Sequence, residues 1–193
     1  MPNGSSERAT GLGRPSPAAL MPRPRKTHAF RFSDDGQTPN NSHFPLILYR
    51  SPVRLICGID PAALFEDLFA AHGWRRSWRD GLYDHLHFHT ASHEVLGIAR
   101  GRASARFGGR KGRILNLRAG DVVILPAGTG HMRVSKSPDL LVVGAYPAGG
   151  RYDEPGPADI AHEKAVRRIA RVGIPAQDPV YGKRGPLRRL WKA

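Results

Sequence analysis

The chain holds a single cysteine, Cys57, among its 193 residues. No intrachain disulfide can form from one thiol, which fits a reducing compartment. Placed after Leu55 and Ile56, Cys57 is expected as a small buried apolar residue. No run of about 18 apolar residues occurs, so no membrane-spanning helix is expected. The N-terminal region carries Arg and Ser but lacks the apolar core of about 7–15 residues that a secretory signal needs. These absences together point to a cytoplasmic protein. Acidic residues are also scarce, with 16 Asp and Glu against 30 Lys and Arg, for a net charge of +14. The excess is spread along the chain: residues 1–28 carry +4, residues 151–193 carry +5, and the middle carries the remaining +5. Nucleic-acid binders concentrate such charge and add aromatic platforms or a groove-reading helix. The diffuse pattern therefore argues against nucleic acid and favours a small anionic ligand. No Gly-rich phosphate loop, Ser/His/Asp order or reactive-cysteine context is present, which disfavours nucleophilic catalysis.

What the chain does have is an unusual concentration of imidazole. In Gly81-Leu-Tyr-Asp-His-Leu-His87-Phe-His89-Thr-Ala-Ser-His-Glu94, side chains two apart share a face if the segment is extended. His87 and His89 can therefore hold one cation together. Glu94 has the wrong parity for the same straight strand, but a turn through Thr90, Ala91 and Ser92 brings it back on the adjacent one. Downstream, an apolar strand runs from Gly120 into the turn Pro126-Ala-Gly128, and His131 sits just beyond it. Three imidazoles and a carboxylate suit one divalent transition ion (Mn, Fe, Co, Ni, Cu or Zn), and the donor set alone does not choose among them. His87, His89, Glu94 and His131 are the candidate ligands, and Glu94 is also the candidate for proton transfer. His85 shares the parity of the H-x-H pair and is placed as a pocket residue. Arg133 lies two residues beyond His131, where it can enter the same mouth and pair with a substrate carboxylate. Tyr83 and Tyr146 are candidate pocket walls.

These two segments resemble the two cupin motifs. The first motif is a Gly, five residues, H-x-H, three or four residues, Glu, six residues and Gly; Gly81, His87, His89, Glu94 and Gly101 match it. The second is a Gly, five residues, P-x-G, two residues, His, three residues and Asn; Gly120, Pro126, Gly128 and His131 match, with Ser135 at the Asn position. The stretches from Trp78 to Tyr83, His93 to Gly97, Val143 to Pro147 and Asp178 to Leu187 extend the resemblance to an uncharacterised bacterial cupin subfamily over roughly residues 29–193. The resemblance implies an all-β, cupin-type antiparallel jelly-roll barrel with a few flanking helices. It also implies one bound metal, dioxygenase- or isomerase-like chemistry on a small anionic molecule, and a homodimer. A non-catalytic metal- or ligand-binding sensor is the alternative, because it needs the same four ligands.

The length suits one domain plus a tail. Residues 1–28, rich in Pro, Ser, Gly and Arg, carry too few apolar side chains to offset ordering and are expected to be disordered. Asp60-Pro61 opens a helix with an apolar stripe of Leu64, Phe65, Leu68 and Phe69, closed by His72 and Gly73. From Trp74 to Pro147 short strands alternate with Gly turns, the pattern of a sandwich or barrel. A second helix is expected over residues 158–171, with Ile160, Ala161, Ala165 and Ile169 inward. The Pro-rich remainder is expected to run extended over the surface, anchored by Trp191.

Overall fold

The computed structural model describes residues 12–13, 15–16, 20–23, 26–149 and 152–192. Most of the expected tail lies outside them. Its described parts touch the folded body: the Gly13 amide donates to the Gly58 carbonyl at 2.8 Å, and Tyr181 Oη donates to the Arg23 carbonyl at 2.8 Å.

Among the described residues, nine strands form two antiparallel sheets. The larger runs in the order β1 (Thr27–Phe30), β2 (Leu46–Tyr49), β7 (Val122–Leu125), β4 (Glu94–Arg100), β9 (Leu141–Pro147) and β3 (Trp74–Asp80). The smaller has β5 (Arg102–Phe107) between β6 (Arg113–Arg118) and β8 (His131–Lys136). Period-two alternation assigns side chains to two cores. Val123, Leu125, Leu96 and Ile98 face the small sheet and meet Phe107, Leu115 and Leu117. Val122, Ile124, Val95 and Ala99 face the other way. There they are covered by helix α1 (Pro61–Ala71) through Leu64, Phe65, Leu68 and Phe69. A central strand buried on both faces has no reason to alternate in polarity, so β7 reads as an unbroken apolar run. This is the cupin-type antiparallel roll, with α1 on its outside. The Asp60 carboxylate caps that helix by accepting from the Ala62 amide at 2.9 Å.

Strand β3 is interrupted by a bulge between Arg75 and Trp78, and Arg76 there has φ of 53°. Without it, Trp74 and Trp78 would share a face. With it, Trp74 packs in the outer core and Trp78 packs towards the barrel interior. Arg79 is correspondingly turned outward, where it meets Asp60 at 2.8 Å and Glu66 at 2.7 Å.

Three expectations are corrected. Cys57 is exposed, because it lies in the turn before α1 rather than on a strand. The second helix, α2 (His162–Ile169), is shorter than expected at both ends; Ala165 and Ile169 are buried as expected, but Ala161 precedes the helix and is exposed. The C-terminal segment does not simply lie extended on the surface. Asp178, fully buried, accepts from Tyr49 Oη at 2.5 Å and from the amides of Val180, Tyr181 and Leu187 at 2.8, 3.0 and 3.1 Å. A short helix α3 (Pro186–Leu190) follows, and Trp191 is fully buried, donating its indole N–H to the Pro45 carbonyl at 2.9 Å.

Buried His93 faces this C-terminal cap, its ring tilted against Trp191 with centroids 4.6 Å apart. Its Nδ1 accepts from the Ala127 amide at 2.9 Å, so Nε2 carries the proton and donates to the Gly173 carbonyl at 3.1 Å. Burial pushes its pKa down to about 4, outweighing the Gly173 bond. The unfolded chain therefore takes up this proton first as pH falls. The contribution of neutral His93 is complete above about pH 6.5 and is lost towards pH 4, amounting to about 3 kcal/mol. Urea unfolding at pH 7.5 and pH 4 measures the loss. A His93→Gln variant is expected to show a smaller drop between these two pH values than the parent.

Candidate metal centre

All four candidate ligands sit at one end of the roll. Glu94 is the first residue of β4 and has the parity of Leu96 and Ile98, so it points between the sheets. His131 is the first residue of β8. His87 lies on the irregular segment before β4 and forms a bridge with His131, with N–O distances of 2.9 and 3.3 Å. His89 follows, and the turn through residues 90–92 returns the chain to Glu94 as expected. Gly128, at φ of 90°, makes the turn that presents His131, and a Cβ there would lie 2.4 Å from the Asn40 carbonyl oxygen.

The ligand atoms of His87, His89 and His131 lie within 4.8 Å of one another, and all three residues are buried. Glu94 Oε2 is 3.1 Å from His89 Nε2 and 3.5 Å from His131 Nε2. Each imidazole is oriented by a main-chain carbonyl. His87 Nδ1 meets the His85 carbonyl at 3.3 Å, His131 Nδ1 meets that of Thr129 at 3.0 Å, and His89 Nδ1 meets that of Asp153. A carbonyl only accepts, so Nδ1 is the protonated nitrogen of each ring and Nε2 carries the lone pair when the ring is neutral. That is the arrangement that fixes histidine ligands on a metal. The charges fit as well. Burial, then the neighbouring rings, push His87 down to about 2, which keeps it neutral. Burial opposes charge on His89, but Glu94 outweighs it and raises the ring to about 9. Burial alone would raise Glu94; His89 and His131 hold it instead well below the usual carboxylate range.

The quartet closes a cavity of about 350 Å³ whose walls include Trp78, Leu82, Tyr83, Tyr146 and Tyr152. Trp78 Nε1–H donates to Tyr146 Oη at 3.0 Å, and Tyr146 shares the cavity lining with Glu94. Burial and then the charge of Glu94 push the Tyr146 phenol well above its ordinary range, so the hydroxyl keeps its proton. Trp78 reaches that position because residue 144 has no side chain; a Cβ on Gly144 would lie 2.1 Å from the indole.

Tyr146 thus lines the cavity, but the other two expected pocket residues do not. Arg133 donates Nε–H to the Leu82 carbonyl at 3.0 Å and pairs with Asp84 at 3.1 Å. The His85 ring stacks on Tyr83 at 4.8 Å, exposed to solvent, and only its carbonyl serves the site. Parity placed both side chains in the mouth; a nearby acceptor and an aromatic face hold them outside it. The cation in the lining is Arg76, turned there by the bulge, and it is accompanied by Asp80 and Glu154.

The segment from Tyr152 to Pro155 was not legible as part of the site. It straps across the H-x-H segment. The Asp153 carboxylate accepts from the Thr90 and Ala91 amides at 2.8 and 3.1 Å and from Thr90 Oγ1, and the Phe88 amide donates to the Pro155 carbonyl at 3.1 Å. Replacing Asp153 with Ala frees the strap that orients His89. The expected result is metal affinity weakened about 10- to 100-fold with the fold retained, read by competition with a chelator dye.

The fold and site together define a cupin-type roll with a three-histidine, one-carboxylate centre. The chain belongs to the family of Uncharacterized protein YjlB from Bacillus subtilis (strain 168), with which it shares 40% identity over 167 residues, 86% of this chain and 98% of that protein. No family model matches it. Two solved structures are similar at low overlap. One is a mutant of Bacillus subtilis oxalate decarboxylase OxdC (20% identity, 60% of this chain and 28% of that one, TM-score 0.36). The other is acireductone dioxygenase from Bacillus anthracis with a cadmium ion in its active centre (18% identity, 46% and 62%, TM-score 0.34). The chain spans less than two thirds of the length of either.

Proposed function

We propose that the protein is a metal-dependent cupin enzyme, dioxygenase- or isomerase-like, acting on a small anionic molecule. The observation that carries this reading is the set of three imidazoles, each with Nδ1 against a carbonyl, converging with Glu94 at the base of a cavity of about 350 Å³. His87, His89, Glu94 and His131 would hold one divalent transition ion. Bound there, the ion supplies a Lewis acid with open positions for an oxygen donor. Glu94, which lines the cavity beside Tyr146, is the group placed to take and return a proton. Three carboxylates and one arginine line the cavity besides the imidazoles. A divalent cation held by the quartet would offset two of those charges and Arg76 the third, leaving a near-neutral wall that an anionic substrate could approach. The aromatic walls suit a flat, partly apolar body.

The test is metal analysis of the purified protein, followed by a screen of small carboxylic acids with and without oxygen-uptake readout. About one ion per chain and turnover of one acid class are expected. Glu94→Gln keeps the size but removes the charge, so turnover is expected to fall about 100-fold or more while the fold survives. A metal-replete protein that transforms nothing yet binds one metabolite tightly moves the assignment to a non-catalytic sensor.

A further inference from the structure

The small sheet gathers charge that the sequence scatters. Residues 102–118 and 131–136, which make up its three strands and the β5–β6 turn, contain eight Lys and Arg and no Asp or Glu. At one end of its outer face lies a cleft of about 790 Å³. Arg50, Arg102, Arg118 and Lys136 line it, together with Asn116 and Ser135. No carboxylate is among the lining residues. Arg50 is balanced by the buried carboxylate of Asp121 at 2.6 Å. Arg102, Arg118 and Lys136 have no ion pair within 4.0 Å among the described residues. The exposed carboxylate of Asp139 acts on Arg102 only from outside the lining.

The register makes this arrangement costly. Arg102 stands directly opposite Arg118 on β5 and β6. Like charges in directly opposed positions of an antiparallel pair destabilise it, with Cβ atoms about 5 Å apart. Three cations without an ion pair, two of them opposed, beside an amide and a hydroxyl, form the donor set that phosphate oxygens satisfy. No aromatic ring lines the cleft to stack a base, and the cations cluster at one end of the sheet rather than tracking its length.

We infer that this cleft is a second ligand site, remote from the histidine cavity, which takes a compact, multiply charged phosphate compound. The two cavities share no lining residue.

The test titrates inorganic tripolyphosphate into the full chain by calorimetry at fixed ionic strength. Two double variants remove the same charge: Arg102→Ser with Arg118→Ser in the cleft, and Lys164→Ser with Arg167→Ser on exposed α2. Saturable one-site binding is expected, weakened about tenfold or more by the cleft pair and unchanged by the α2 pair. Without ligand, the cleft pair is expected to melt at the same temperature as the parent or higher, since opposed charges have been relieved. Equal weakening by both pairs means a net-charge effect and overturns the site. So does absence of binding. Tighter binding to a single-stranded oligonucleotide with length-dependent affinity, or to vesicles containing anionic lipid, replaces the compact ligand with a polymer or a membrane surface and overturns the assignment.

Discussion

Stripping divalent ions from the purified protein with a chelator is expected to lower its melting temperature by roughly 10 °C. An ion held about 1,000-fold above its dissociation constant stabilises the folded state by about 4 kcal/mol, because the unfolded chain cannot assemble the site. At this chain length each kcal/mol corresponds to roughly 2–4 °C. The candidate ligands come from three separate places in the chain, residues 87–89, 94 and 131, so a bound ion would tie the segment before β4 to the start of β8. His89→Ala is expected to abolish most of the chelator effect, since it removes a ligand and leaves Glu94 without its closest imidazole partner at 3.1 Å. Differential scanning calorimetry of both proteins, with and without chelator, gives the four numbers needed. A metal-loaded parent whose melting curve ignores the chelator would show the site to be weak.

Replacing Asp178 with Ala is expected to destabilise the protein by about 4 kcal/mol or more, a large share of the total for a domain of this size. The carboxylate is fully buried and satisfies a tyrosine hydroxyl and three amides. Removing it leaves those four donors buried without acceptors, each at a cost of about 1–3 kcal/mol that partial opening to water relieves. The loss should concentrate in the C-terminal cap, so hydrogen exchange at Val180, Tyr181 and Leu187 reports it directly. Tyr49→Phe is the milder companion. It removes one donor and leaves the amides served, for a loss of about 1–2 kcal/mol in urea unfolding. A loss in Asp178→Ala no greater than that of Tyr49→Phe would show that the cap does not hang on this carboxylate.

The clustering of the candidate quartet was legible because its information is local. The H-x-H spacing and the turn at Thr90 to Ser92 that returns Glu94 are contained in one short segment. The Pro126–Gly128 turn sets His131 in the same way. The α1 stripe and its Asp60 cap were readable for the same reason. Side-chain partners across the fold were not. Arg133 was placed in the mouth by parity, but the Leu82 carbonyl and Asp84, some fifty residues earlier, hold its guanidinium outside.

Sequence alone determined the elements whose physics repeats along the chain: strand alternation, the helix cap, and the two motifs that carry imidazole and carboxylate to one end of a roll. Only the tertiary structure decided which groups surround them. A single extra residue's worth of bulge in β3 moved Trp78 and Arg76 to the cavity, because a one-residue slip exchanges the two faces of a strand. The strap at Asp153 orients His89 from 64 residues away, and Asp178 closes the C-terminus on Tyr49 from 129 away. The basic cleft exists only because β5, β6 and β8 pair, bringing Arg102, Arg118 and Lys136 together. Hydrogen bonds and charge act over ångströms in space, and spacing along the chain carries that information only where the chain itself is the shortest path.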